Sequence, residues 1–350
     1  MIPETVAQVE SHTEVILTPE QRAEENHWRQ QLANSARNPK DLLRQLHFSE
    51  AAIQNLLAAD QGFDTLVPPS FIARMEPDNP QDPLLLQVLP QAAEAIATAE
   101  FSHDPLAEAD FNPTPGVVHK YHGRALLIAA GHCAINCRYC FRRHYPYAEQ
   151  QRSRSQWQES LAHLATDLSL EEIILSGGDP LALTNNMLFS LLDEIEKLPQ
   201  IKRLRIHSRL PVVLPSRITS ALCQRLQKSP LQVVMVIHCN HSQEIDQEVS
   251  AACGRLYEAG VTMLNQSVLL NTINNDAASL IALSESLFKA QVLPYYLHLP
   301  DHVAGTEHFF VGIEEGQQLI LKLQAKLPGY LVPRLVKEEP GEAHKTLINI

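Results

Sequence analysis

A chain of 350 residues, 45% apolar and 19% charged, can build one large barrel domain or two smaller ones, and this composition excludes an intrinsically disordered polymer. Its 28 basic and 40 acidic side chains give a formal net charge of −12, which disfavours non-specific binding to nucleic acid or to an anionic membrane. No apolar run is long enough to cross a bilayer, and the opening MIPETVAQVESHTEV lacks the basic end and apolar stretch of a secretion signal, so the sequence predicts a soluble cytoplasmic protein.

Residues 1–115 read as an N-terminal helical region. PEQRAEENHWRQQLANSA and KDLLRQLHFSEAAIQNLLAA space their apolar residues as helices do, and PDNPQDP and HDPLAEADFNPTPG break the pattern into loops. From Arg124 the pattern changes. RALLIAA is a short apolar run without a helical face. EEIILSGG, RLRIHS, LQVVMVIHC, VTMLNQSVLL and VLPYYLHL follow, each reached through a helix-like stretch. This alternation over 116–312 predicts right-handed crossovers and a parallel α/β sheet. Six units can form an open partial barrel or a doubly wound sheet, and periodicity alone does not choose. In the C-terminal segment, 313–350, EEGQQLILKLQAKL reads as a helix and YLVPRLVKEEPGEAHKTLINI as a strand followed by a loop.

The predicted strands end in polar residues: the cysteines after the first, Ser176-Gly177-Gly178-Asp179 after the second, His207-Ser208-Arg209, His238-Cys239-Asn240-His241, Asn265-Gln266 within the fifth, and His298 with Asp301 after the sixth. In parallel α/β folds these ends share one rim, where active sites lie. A structural protein has no reason to gather His, Arg, Asp and Gly-Gly there, so the pattern points to an enzyme.

Cys133-x3-Cys137-x2-Cys140 is the strongest signal. A structural zinc site wants four ligands, with His132 or His144 available as the fourth. An iron-sulfur cubane normally takes four thiolates, and three leave one iron open to a substrate or cofactor. Cys223, Cys239 and Cys253 stand apart and read as buried apolar thiols.

CAINCRYCFRRHYPY followed by LSGGDPL resembles the radical S-adenosylmethionine superfamily, with Tyr139 as the aromatic residue before the last cysteine. RIHSRLPVVLPSRIT, HCNHSQEID, LNQSVLLNTINND and DHVAGTEHF extend the resemblance to the lysine 2,3-aminomutases over roughly residues 105–345. The short length resembles the branch that supplies β-lysine for modifying elongation factor P. The resemblance implies a partial (β/α)6 TIM barrel. It implies that Cys133, Cys137 and Cys140 hold a [4Fe–4S] cluster, and that Gly177, Gly178, Asp179, His238 and Gln266 contact S-adenosylmethionine. Lys345, in Pro340-Gly341-Glu342-Ala343-His344-Lys345, matches the lysine that carries pyridoxal 5′-phosphate, although only one glycine of the family's run is kept. Arg124 matches an arginine near the phosphate, with Lys120 in support. Arg142 matches the arginine that clamps the substrate carboxylate, a task for a planar fork. Asp301 and Glu338 fall where two aspartates read the far ammonium of lysine, Glu338 with the longer arm.

The implied reaction is a 1,2-amino shift, started by a 5′-deoxyadenosyl radical, that turns L-lysine into β-lysine of R configuration. The implied partners are free L-lysine, an elongation factor P-modifying ligase that takes the product and an electron donor such as flavodoxin. A homo-oligomer is compatible with the sequence; nucleic acid and membrane are not expected. Two other readings stay open: the same chemistry on another amino acid, and a metal- or cluster-binding protein without catalysis.

Overall fold

The computed structural model describes residues 16–57, 63–96, 98–145 and 154–350; the opening stretch read for a secretion signal lies outside them. Nine strands form one sheet in chain order: β1 (Val117–Tyr121), β2 (Arg124–Ala130), β3 (Glu172–Gly177), β4 (Arg203–Ser208), β5 (Gln232–Ile237), β6 (Thr262–Val268), β7 (Leu293–His298), β8 (Arg334–Lys337) and β9 (Thr346–Leu347). From β2 to β8 every neighbouring pair is parallel, while β1 and β9 pair antiparallel at the two edges. All six predicted strands are present as β2 to β7. The strand expected in the tail is β8, which joins the same sheet as a seventh parallel member.

Six helices make the crossovers: Arg154–Ala165, Asn185–Glu196, Ser220–Gln227, Gln247–Glu258, Ala277–Lys289 and Ile313–Gln324. Four of them start after side-chain caps: Thr184, Thr219, Asp246 and Asp276 each accept from the backbone amide three residues on. The third crossover helix begins four residues later than the stretch SRITSALCQRLQ suggests. Pro215–Arg217 form a tight turn first, and Thr219 is the cap.

Strand alternation separates two environments. On β4, Leu204 and Ile206 are fully buried in the core shared with the helices, whereas Arg203, Arg205 and His207 occupy the opposite face, the concave side of the curled sheet. The Tyr121 hydroxyl, at the end of β1, donates to the Glu338 carboxylate just beyond β8 at 3.1 Å. The two ends of the sheet therefore approach one another through side chains. The fold is an α/β partial barrel with polar residues on its inner face.

The N-terminal region packs on the barrel. Helices Pro19–Ala33, Pro39–Gln45 and Glu50–Leu56 start at Thr18, Asn38 and Ser49, and Thr18 with Gln21 forms a reciprocal capping box. Trp28, Leu42, Leu43 and Ile53 are buried in the same core as the barrel helices. The Arg217 guanidinium lies 4.8 Å from the Trp28 ring, so this region and the barrel share one interior. Among the described residues no helix is long and apolar enough to cross a membrane.

Candidate active site

The cysteines leave β2 on a loop held by the end of β3. The Gly178 amide donates to the Ala130 carbonyl at 2.8 Å and the Asp179 amide to the His132 carbonyl at 2.9 Å. A Cβ on Gly178 would stand 2.2 Å from the His132 oxygen. One on Gly177, whose φ is +112°, would stand 2.7 Å from the Ala130 oxygen. The two glycines therefore let the backbone of β3 close on the residue before Cys133. In the structure this close approach holds the cysteine loop against β3.

Asp179 is buried, and its carboxylate accepts from the Ser208 hydroxyl, the Arg209 amide, the Leu181 amide and, more loosely, the Leu210 amide. Those four donors use the acceptor sites a carboxylate has. In this structure Asp179 ties β3 to β4. Burial pushes its pKa up to about 6, against these hydrogen bonds.

A buried charge network fixes the loop from behind. Arg138 and Arg143 both donate to Glu94, which lies on the N-terminal region. Burial opposes the Glu94 charge, but the two arginines outweigh it and keep its carboxyl below the usual range. Burial pushes the Cys133 thiol well up, and the Cys140 thiol to about 11. Among the described residues no three His, Cys, Asp or Glu side chains converge as one bound metal ion requires. A multi-iron cluster takes one thiolate per iron and needs no such convergence, so the donor set of Cys133, Cys137 and Cys140 fits a cluster better than a zinc ion. Cys239 is buried, with its thiol directed to the His241 carbonyl, and Cys253 is buried as well.

Across the mouth, the tail folds back on β8. Lys337 pairs with Thr346 and Val336 with Leu347, so the intervening turn carries Lys345 onto Glu338. Gly341 has φ +83°, so the one glycine kept in this loop sits where a left-handed backbone requires it. Lys345 is half-buried rather than a solvated tail residue. Its charge helps keep His207, His238 and His298 uncharged, second to burial for His298 and behind other cations for the other two. His238, pushed down to about 3, shares a hydrogen bond with Gln266 at 2.9 Å, which brings two predicted residues together. Among the described residues, the Nε2 atoms of His207 and His298 are buried without a hydrogen-bond partner.

Glu338 is the hub of the mouth. It accepts from Lys345 and Tyr121, and Lys120 lies 4.0 Å away. Burial opposes its charge, but Lys345 and Lys120 hold it ionised. The half-buried Asp301 carboxyl is pushed up to about 7, first by burial and then by Glu338, against the pull of Lys345. Both acids line a cleft of about 460 Å³ that also carries Glu100, Glu339 and Glu342. An acidic cleft of this kind suits a cation.

Arg142 is buried with its Nε and Nη2 each 2.8 Å from Glu108, and Nη1 reaches the Ser176 hydroxyl at 3.3 Å. The fork expected to meet a substrate carboxylate thus already holds one of the protein's own along one edge. Arg124 and Lys120 are not paired with each other. Arg124 lies over the Tyr121 ring at 4.6 Å, while Lys120 donates to the Leu106 carbonyl at 3.0 Å. Sequence reading missed Glu108, Glu94 and Tyr121 as parts of the site. The tandem arginines of CRYCFRR were the one local hint of a buried acidic partner.

Residues 127–276 match the family model described as the radical SAM superfamily. The chain is 48% identical over 326 residues to an L-lysine 2,3-aminomutase of Escherichia coli (strain K12), covering 92% of this chain and 94% of that one. It is 46% identical over 324 residues to an L-lysine 2,3-aminomutase of Haemophilus influenzae, covering 93% and 96%. A glutamate 2,3-aminomutase of Clostridioides difficile is 29% identical over 322 residues, covering 92% and 76%. With similarity at this level over more than nine-tenths of its length, the chain belongs to the lysine 2,3-aminomutase family of the radical SAM superfamily.

Proposed function

We propose that this protein is an L-lysine 2,3-aminomutase that uses a [4Fe–4S] cluster, S-adenosylmethionine and pyridoxal 5′-phosphate. The observation that carries the reading is the composition of the mouth: Lys345, two acids and one arginine lie on the rim that also bears the three cysteines. When bound, the cluster and S-adenosylmethionine supply a carbon radical that removes hydrogen from the β carbon, and pyridoxal phosphate supplies the carbonyl that carries the migrating amine.

The residues divide the remaining work. Cys133, Cys137 and Cys140 hold three irons. His238 and Gln266, joined at 2.9 Å, offer a neutral hydrogen-bonding edge to S-adenosylmethionine, and the backbone of Gly177 and Gly178 holds the cysteine loop beside it. Lys345 is the amine for the pyridoxal carbonyl. The Nε2 atoms of His207 and His298, without a partner among the described residues, fit a polar cofactor in the barrel, since a buried polar atom left alone costs about 1–3 kcal/mol. Arg124 is the proposed partner of its phosphate, with Lys120 in support. Were Lys345 committed to the cofactor's carbonyl, Glu338 would be left to pair with another cation. Asp301, which has no side-chain hydrogen bond among the described residues, is the second acid for that cation. A lysine ε-ammonium fills this role and a glutamate side chain does not. Arg142, steadied by Glu108, is the carboxylate clamp.

The R configuration of the product, its transfer to an elongation factor P-modifying ligase and flavodoxin as electron donor are part of the same proposal and follow from the resemblance of the motifs; a cytoplasmic location, expected from the sequence, is proposed with them. The test is an anaerobic turnover of the reconstituted protein with S-adenosylmethionine, pyridoxal phosphate, a reductant and L-lysine, with L-arginine and L-glutamate in parallel. Chiral mass spectrometry should find β-lysine from lysine alone. β-Glutamate, or no amino shift from a protein with a full cluster, would overturn the reading.

A further inference from the structure

We infer that Arg209 raises the reduction potential of the cluster by donating from its guanidinium to the Cys137 sulfur, an inference that rests on the reading of the three cysteines as cluster ligands. Arg209 follows β4 and lies 72 residues from Cys137 in the chain, yet its Nη1 meets the Cys137 Sγ. Its other terminal nitrogen and its backbone amide are held too, while Nε is buried without a partner among the described residues. Nη2 donates to Gln87 Oε1 at 2.7 Å and to Glu244 Oε2 at 3.1 Å, and the backbone amide donates to Asp179 at 2.7 Å. The Tyr139 and Phe71 rings lie 5.5 and 5.4 Å from the guanidinium carbon. Arg209 is 7% exposed. It is therefore a pre-positioned donor rather than a surface charge that swings onto the sulfur.

An Arg–Glu pair of purely structural purpose needs no nitrogen on a thiol. Here the guanidinium is shared between Glu244 and Cys137, and the two contacts act differently. Glu244, paired with Nη2, offsets the net charge of the guanidinium, which keeps burial tolerable. The Nη1 hydrogen acts at contact range, on the side of the guanidinium away from that carboxylate. Hydrogen bonds to ligand sulfur stabilise the more negative, reduced cluster and raise its potential. The step affected is the uptake of one electron from a low-potential one-electron donor, taking the cluster from its 2+ to its 1+ state. No bond forms or breaks in that step, and Arg209 keeps its proton.

The test is a potentiometric titration of the reconstituted protein without substrate, followed by the electron paramagnetic resonance of the reduced cluster, with iron and sulfide counted per chain. Arg209→Gln should make reduction at least tenfold less favourable at a given potential, a shift of about 59 mV to the negative. Arg209→Lys, which keeps the charge without the fork, should shift it less. An unchanged midpoint in Arg209→Gln at full iron content would overturn the inference. Should Arg209→Gln fail to hold a cluster, protein grown with guanidinium-15N arginine decides. Pulsed resonance on the reduced cluster should show a nitrogen coupling that is lost in labelled Arg209→Lys, and a coupling that survives there would contradict the proposal. A parent protein that takes up no iron and sulfide would instead sink the reading of the cysteines beneath it.

Discussion

The cysteine loop and the C-terminal hairpin meet at one barrel mouth and are secured by opposite means. The loop is clamped by glycine-backed backbone contacts to β3 and by two arginines on a buried Glu94. The hairpin is two residues of β9 on β8, with Lys345 held through its contact with Glu338, and its turn is exposed from Pro340 to His344. Under the proposed function, the difference follows what each would have to do. A cluster needs ligands that do not move, because an open iron exposed by a loose loop is lost to water and oxygen. A lysine that engages a carbonyl and later yields it must change partners, so it is tied by one ion pair at the rim rather than by a network. On this account the loop starts the chemistry and the hairpin directs it.

The largest effect should come from the loop. Replacing Cys133, Cys137 or Cys140 by Ala should leave no stoichiometric cluster by iron and sulfide analysis and no cleavage of S-adenosylmethionine; cleavage by any of them would remove the distinction between the regions. Next is Glu94→Gln, which strands two buried guanidinium groups. It should cost on the order of 3–5 kcal/mol in denaturant unfolding and lower cluster yield with it.

At the hairpin side the effects should fall on substrate rather than on fold. Asp301 must be ionised to hold an ammonium, and its pKa in the folded protein is about 7. The KM for lysine should therefore rise as pH falls through 7, and Asp301→Asn should raise KM and flatten that dependence. The stability sign is the reverse of an ordinary ion pair. Because the folded pKa lies above the unfolded one, ionised Asp301 destabilises the fold progressively from about pH 4 to 7 and fully above. Asp301→Asn should accordingly raise Tm at pH 8 and leave it unchanged at pH 3. The smallest effect is Gly341→Ala, where φ of +83° makes a side chain strained but nothing lies within 4 Å of the new Cβ. About 1 kcal/mol of local cost should appear as a lower kcat with the cluster untouched.

The parallel strands were legible because each is an apolar run bounded by turn residues, and the cluster ligands because cysteine spacing is a local pattern. The rest depended on distance in the chain. Glu108 meets Arg142 from 34 residues away and Glu94 meets Arg138 from 44, and neither acid stands out in its own segment. β9 is too short for periodicity to reveal, so the burial of Lys345 could not be read from a sequence that places it five residues from the end. The Gly-Gly pair was visible, but its partner, the His132 backbone, was not.

The most direct test of the division between loop and hairpin is Lys345→Ala, with 5′-deoxyadenosine and β-lysine measured in the same anaerobic reaction. The account predicts a full cluster, retained reductive release of 5′-deoxyadenosine and no β-lysine. β-Lysine from this variant, or loss of the cluster along with the amino shift, would contradict it.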